Sequence, residues 1–276
     1  MKCDTWSEAI VFCMLMLSCR SVRHLISHKG IALSYGAACH GIFILAGLVM
    51  FGSIITGFSY SIGYLSGYWA VIVNFILLVQ FPAGHSFFLT GKGMRALDYF
   101  SPKAHARVLR TTIYATLASA QLLLLFIFWS PSQILIWKVE FPANIFLILL
   151  NLFSWFLLSI SSIQAGYQVQ TGSLGWTSMY RNIEPVFPNM PNSGLFKLIR
   201  QPIYLSFCLV LWTSPLMTLD LFIVASAYTL YCFFGPYFKE KRFSKFYGLE
   251  FEEYKTSVPY FFPKINRIIP KAKVSD

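Results

Sequence analysis

Apolar residues in this chain come in long runs separated by short polar stretches, with no strand-like alternation. Four runs have bilayer length, at about Ser34–Phe58, Leu65–Leu89, Leu109–Ser130 and Ala143–Ala165. Each holds the roughly 20 residues that a helix needs to cross the hydrocarbon core. A fifth run, from Ile203 to Tyr237, is too long for one crossing. It contains "TSPLMTLD" (213–220), where Pro215 and Asp220 mark a turn between two helices. The pattern predicts an all-α integral membrane protein of about six transmembrane helices, the last two a tight hairpin. Upstream, "AIVFCMLMLS" (9–18) is too short to span, and Asp4 and Glu8 spoil the basic start of a signal peptide. Residues 1–33 are therefore expected to form an N-terminal interfacial segment, 34–263 the membrane domain and 264–276 a basic tail.

Composition fits this division. Apolar residues make up 56% and charged residues 12%, against about a quarter charged in soluble domains. The net charge of +11 does not point to a nucleic-acid partner, because the basic residues are dispersed between the apolar runs. Lys and Arg cluster before the first span, in 91–110, in 181–200 and from Lys239 onward. Connections 59–64 and 213–220 have none, and 131–142 has only Lys138. Under the positive-inside rule both termini, the 91–108 loop and the 166–202 loop are expected in the cytoplasm. The six cysteines form no CxxC pair, so no zinc site is expected, and metal-binding and hydrolase motifs are absent from the sequence.

Candidate chemistry lies at the expected cytoplasmic ends of the spans. His85 closes the second span, after "VQFPAG", and Arg110 opens the third. Either His85 bonds a neighbouring helix and Arg110 snorkels to the interface, or the two line the mouth of a polar pocket. Farther on, Arg200-Gln201-Pro202 enters the fifth span and "FKEKRFSKFYGLEFEEYKTSVPYFFP" (238–263) leaves the sixth. The hairpin brings Arg200, Tyr204 and Glu240 together, with the irregular 166–198 loop beside them. A cation, a carboxylate and aromatic rings either pin the hairpin or hold a zwitterionic ligand by charge-assisted bonds and stacking.

These last segments, "GLFKLIRQPIYLSF" (194–207) and "KEKRFSKFYGLEFEEYKTSVPYFFP", resemble the C-terminal core of isoprenylcysteine carboxyl methyltransferase-type membrane enzymes. The family pattern runs Arg-His-Pro-x-Tyr-x-Gly, a paired-Glu segment, Phe-Gly-x-x-Tyr-x-x-Tyr and a Val-x-x-x-x-Pro ending. Upstream, "NFILLVQFPAGHSFF" (74–88), "RTTIYATLASAQLLLLFIFWSP" (110–131) and "WTSPLMTLD" (212–220) are similar to the bacterial methanethiol S-methyltransferase branch and to nurim. The resemblance implies an S-adenosylmethionine pocket at the cytoplasmic end of the last helices. By position, Arg200, Pro202 and Tyr204 match the Arg-x-Pro-x-Tyr element that shapes the pocket, and Glu240 matches the second of the paired acids. Gly194 matches the glycine that opens the segment, and His85 a family histidine on the substrate side.

Three departures bear on chemistry. Gln201 stands in the family's His position, Ser206 in that of a following Gly, and Lys239 in that of the first paired Glu. An amide keeps hydrogen-bonding capacity there but takes no proton. The Asp-His-rich stretch of the thiol-methylating branch is replaced by "QAGYQVQTGSLGW" (164–176), without acid or histidine. The resemblance implies methyl transfer to a small thiol or a lipophilic acceptor, a thiol needing the least base assistance near cations such as Arg110 or Arg200. The alternative is a catalytically inactive nurim-like membrane protein.

Overall fold

The computed structural model describes residues 28–263. The long apolar runs are helices: α1 (His28–Ile55), α2 (Gly67–Phe88), short α3 (Gly91–Leu97), α4 (Ala106–Phe128), α5 (Ala143–Gln164), α6 (Tyr167–Gln170) and α7 (Ser173–Arg181). After a long connection come α8 (Pro202–Trp212), α9 (Leu219–Tyr247) and α10 (Leu249–Ser257). Strands β1 (Leu135–Lys138) and β2 (Leu216–Thr218) pair antiparallel. The expected interfacial segment lies outside the described residues up to 27, and α1 already begins at His28. The tail at 264–276 lies outside them too.

Helices α1, α2, α4, α5 and α9 are long and apolar enough to cross a membrane, and the chain is an all-α, multi-pass membrane protein. Its final apolar run divides unequally, into 11 residues of α8 and 29 of α9. At 1.5 Å per residue α8 reaches about 16 Å, roughly half the hydrocarbon thickness. Its ends are fixed by tertiary contacts. Pro202 occupies the first turn, where a missing N–H costs nothing, and beyond Thr213 the Ser214 hydroxyl bonds Ile54 O at 2.7 Å.

Large apolar side chains such as Ile44, Leu48, Phe75, Phe146 and Phe156 face outward, and no residue of α2 is buried. Lipid tails satisfy such faces, so helix association depends on close packing and polar contacts. Gln80 and Gln121 supply one such contact, each donating its side-chain amide to the other's carbonyl at 2.7 and 2.9 Å. Asn151 of α5 donates to Val210 O and Thr213 Oγ1 at 2.8 and 3.0 Å and so holds α8. Between α1, α4, α8 and α9 lies a core of Ile54, Phe58, Phe126, Leu211, Leu221 and Tyr228.

The lysine-poor connections meet at one end of the bundle. Lys138 of β1 pairs with Leu216 of β2, Thr218 Oγ1 donates to Gly57 O at 2.6 Å, and Ile62 N donates to Ile127 O at 2.8 Å. Connections 56–66, 129–142 and 213–218 are thus neighbours, as the charge alternation requires.

Asp220 organises that end. It is 3% exposed and sits in the first turn of α9, where the helix dipole favours an anion. Its oxygens accept from Trp129 Nε1 at 2.8 Å and from Ser132 N and Oγ at 2.9 and 2.7 Å. Replacing Asp220 with Ala strands these donors and is expected to cost about 1–3 kcal/mol. A lowered thermal midpoint of the detergent-solubilised protein checks this; an unchanged midpoint removes the role assigned to Asp220.

Candidate active site

Arg200 stands on the last residues before α8, held by its backbone N–H to Pro259 O at 2.9 Å. Its Nε donates to Glu240 Oε1 at 2.9 Å and its Nη2 to Oε2 at 3.3 Å. Its Nη1 reaches the carbonyls of Lys255 and Val258 at 2.8 and 2.7 Å, and the guanidinium lies 5.4 Å from the Tyr260 ring centre. The two charged side chains are only 11% and 9% exposed. A single arginine therefore joins the start of α8, the end of α9 and the segment after α10.

Gln201 is 1% exposed. Its Nε2 donates to Glu240 Oε1 at 2.7 Å, and its Oε1 accepts from Lys239 Nζ at 2.7 Å. One planar amide thus serves consecutive residues of opposite charge on α9. Gln201 and Lys239, two of the departures from the family motif, are in direct contact. A carboxylate at 239 would face the same carbonyl oxygen and be repelled by it, so the two departures suit each other.

Tyr204 follows one turn into α8, its ring 5.5 Å from Lys239 Nζ. It packs against a buried cluster of Cys208, Cys232 and Phe261. The C-terminal segment is tied down by Tyr254 OH to Phe196 O at 2.7 Å and by Tyr260 OH to Phe233 O at 2.8 Å. Burial pushes both of these phenols up to about 12. Gly194 has φ +58, and a side chain there would collide with Gln164, which accepts from Leu195 N at 2.8 Å. The glycine therefore makes room for Gln164. On the α5 side of α8 an apolar cavity of about 140 Å³ is lined by Leu157, Leu195, Leu198, Pro202, Leu205 and Leu209.

His85 is close to the end of α2, with Tyr114 OH of α4 2.8 Å from its Nε2. Phe81 lies 5.1 Å and Tyr231 6.5 Å away between ring centres, and Ser86 Oγ is 3.3 Å from Tyr231 OH. Arg110, one turn before Tyr114, is turned to Asp98, with both nitrogen–oxygen distances 2.7 Å. Those hydrogen bonds hold the Asp98 carboxyl below the usual range.

The structure brings Arg200, Gln201, Tyr204 and Glu240 into one group, and His85 into another with Tyr114 and Tyr231. Arg110 is committed to a separate ion pair. Lys239, Tyr114 and Tyr231 were not among the site residues expected from sequence. For the two on α9 the signal is spacing: Tyr228, Tyr231, Gly235 and Lys239 recur at three or four and share one stripe. Rings of Tyr204, Phe243 and Tyr260 are set beside the Lys239 and Arg200 charges of the cluster.

These features define a multi-pass α-helical membrane protein with a charged, aromatic-lined site at one end of its bundle. The chain is 29% identical to methanethiol S-methyltransferase 1 of Bradyrhizobium diazoefficiens over 85% of its length and 83% of that protein. It is 27% identical to a methanethiol S-methyltransferase of a Pseudomonas species (88% of this chain, 94% of the other) and 25% to that of Mycobacterium tuberculosis (83% and 94%). The resemblance read from the motifs holds over most of the chain. No protein-family model and no solved structure matches it.

Glu240→Gln leaves Arg200 without its counter-charge in a buried setting. Breaking such a pair typically costs about 3–5 kcal/mol, so a lower thermal midpoint and faster proteolysis within 248–263 are expected. Wild-type behaviour in both assays would show that the ion pair does not hold this segment. The Asp98–Arg110 pair acts on pH dependence. With the Asp98 carboxyl depressed, its stabilisation is present above the ordinary Asp range and is lost as pH falls through the depressed value. Its size is at most about 1 kcal/mol at this exposure. Asp98→Asn should lower the midpoint at neutral pH and flatten its acid-side fall; an unaltered acid-side profile contradicts the assignment.

Proposed function

We propose that this protein is an S-adenosylmethionine-dependent membrane methyltransferase whose acceptor is a small thiol of the methanethiol type. The observation that carries the reading is the buried Arg200–Gln201–Glu240 cluster beside Tyr204, in a chain similar to methanethiol S-methyltransferases over most of both lengths. Charge distribution supports an orientation with both termini and this site on the cytoplasmic side.

The donor would supply a methyl group on a sulfonium sulfur, already electrophilic. Chain residues supply position and dryness. Arg200 and Glu240 fix the entry of α8 against α9, and Gln201 sets the spacing of Lys239 and Glu240. Tyr204 and Tyr260 offer faces to an adenine or a sulfonium. His85, Tyr114 and Tyr231 form a second polar group where α2, α4 and α9 meet, and the acceptor would lie beside it. Holding two reactants in line in a water-poor site supplies much of the rate of such a transfer.

The purified protein in detergent, given S-adenosylmethionine and methanethiol, is expected to release dimethyl sulfide into the headspace. Tyr204→Ala is expected to weaken donor binding at least about tenfold, as loss of a stacking partner worth 1–3 kcal/mol implies. Absence of both product and calorimetric donor binding at millimolar concentration overturns the reading and leaves an inactive membrane protein. Unchanged donor affinity in Tyr204→Ala removes that residue from the pocket.

A further inference from the structure

The outward side of α9 changes character partway along. Through the span its exposed side chains are apolar, among them Leu230, Phe233, Phe234 and Phe238. Counted from Leu219, roughly 20 residues cross the hydrocarbon core, which puts its far edge near Phe238. The helix continues to Tyr247, and α10 follows from Leu249. Its last turns therefore run through the layer of lipid headgroups.

On those turns the same side reads Lys241-Arg242, then Lys245-Phe246, then Leu249, all exposed. Positions three and four apart share a helix face, so these residues extend the tail-facing side directly. Phe246 and Leu249 are 79% and 82% exposed. Lys241 Nζ lies 4.5 Å from the ring centre of Tyr237, at the border of the apolar stretch. Among the described residues no carboxylate is within ion-pair distance of Lys241, Arg242 or Lys245. The nearby acids are engaged elsewhere: Glu240 is buried against Arg200, and Glu252 of α10 accepts from Ser244 and lies 3.5 Å from Lys255. The face thus combines three cations with large apolar side chains and carries no acid.

We propose that the face from Lys241 to Leu249 is a binding surface for anionic phospholipids, with Lys241, Arg242 and Lys245 holding the phosphates and Phe246 and Leu249 packed among the headgroups. Two observations select this partner. Continuity with the tail-facing side of one helix makes a lipid the neighbour, and three cations without an acid make it an anionic lipid. Glu240 stands on the opposite side of the same turns, so a bound headgroup steadies the end of α9 that holds Arg200. The inference rests on the membrane-spanning fold and is independent of methyl transfer.

The test is thermal unfolding of the full-length protein in neutral detergent, with phosphatidylglycerol or phosphatidylcholine titrated in. Phosphatidylglycerol is expected to raise the midpoint by binding the folded state, and phosphatidylcholine to leave it unchanged. About 1 M salt, where the screening length is about 3 Å, should remove the rise. Lys241→Gln/Arg242→Gln/Lys245→Gln should weaken the apparent affinity for phosphatidylglycerol on the order of a hundredfold, about fivefold for each charge, and melt like wild type without lipid. Lys241→Arg/Lys245→Arg should keep the response. So should Lys92→Gln/Arg95→Gln/Lys103→Gln, which removes three exposed cations at the same end of the bundle. The proposal is overturned by an equal response to both lipids, by a stripe variant that responds like wild type, or by an equal loss in the control variant. A stripe variant already destabilised without lipid also overturns it, because the charges then serve the fold. A matching rise with inorganic phosphate would mark a site for a free anion instead. A midpoint that climbs with protein concentration alone would seat a second copy of the chain there, and either result overturns the lipid assignment.

Discussion

The buried contact between Arg200 and Glu240 is the constraint on which the site depends. It unites three stretches that the membrane alone would leave separate: the entry of a half-length helix, the exit of a long one and the segment behind α10. Energetically a buried ion pair is a poor stabiliser, since desolvation consumes most of the attraction. Its value here is geometric. Two charges and three further hydrogen bonds leave few alternative arrangements for the start of α8, and Gln201 inherits its orientation from them.

Much of this architecture was legible in the sequence because bilayer thickness acts on the chain directly. The four bilayer-length runs became α1, α2, α4 and α5, with ends shifted by a few residues. Alternating charge correctly grouped the lysine-poor connections at one end. The length of α8 was not legible, because hydropathy runs without a break into the turn. The helix instead stops where Ser214 finds a backbone partner on α1. The β1–β2 ribbon escaped notice for a related reason: three or four residues carry too little periodicity to distinguish a strand from a connection.

Site residues divide along the same line. Arg200, Tyr204 and Glu240 could be placed together because a hairpin fixes which ends meet. What each cation was paired with depended on contacts distant in sequence. Asp98 lies twelve residues before Arg110, with a turn and two short helical segments between, and it takes up the charge that made Arg110 attractive. Gln201 looked like the weakening of a motif when considered by itself. In contact with Lys239 it becomes half of a matched pair, and neither residue's identity is explained without the other.

A site at the end of a membrane bundle faces a particular electrostatic problem. Its charges are poorly hydrated, so each must be compensated by protein or by ligand. This protein compensates most of them internally: Asp98 with Arg110, Glu240 with Arg200, and Asp220 with three donors at the opposite end. Lys239 is compensated differently: its ammonium bonds the neutral Gln201 carbonyl and stands beside the Tyr204 and Phe243 rings, so dipoles and ring faces do for it what carboxylates do for Arg110 and Arg200.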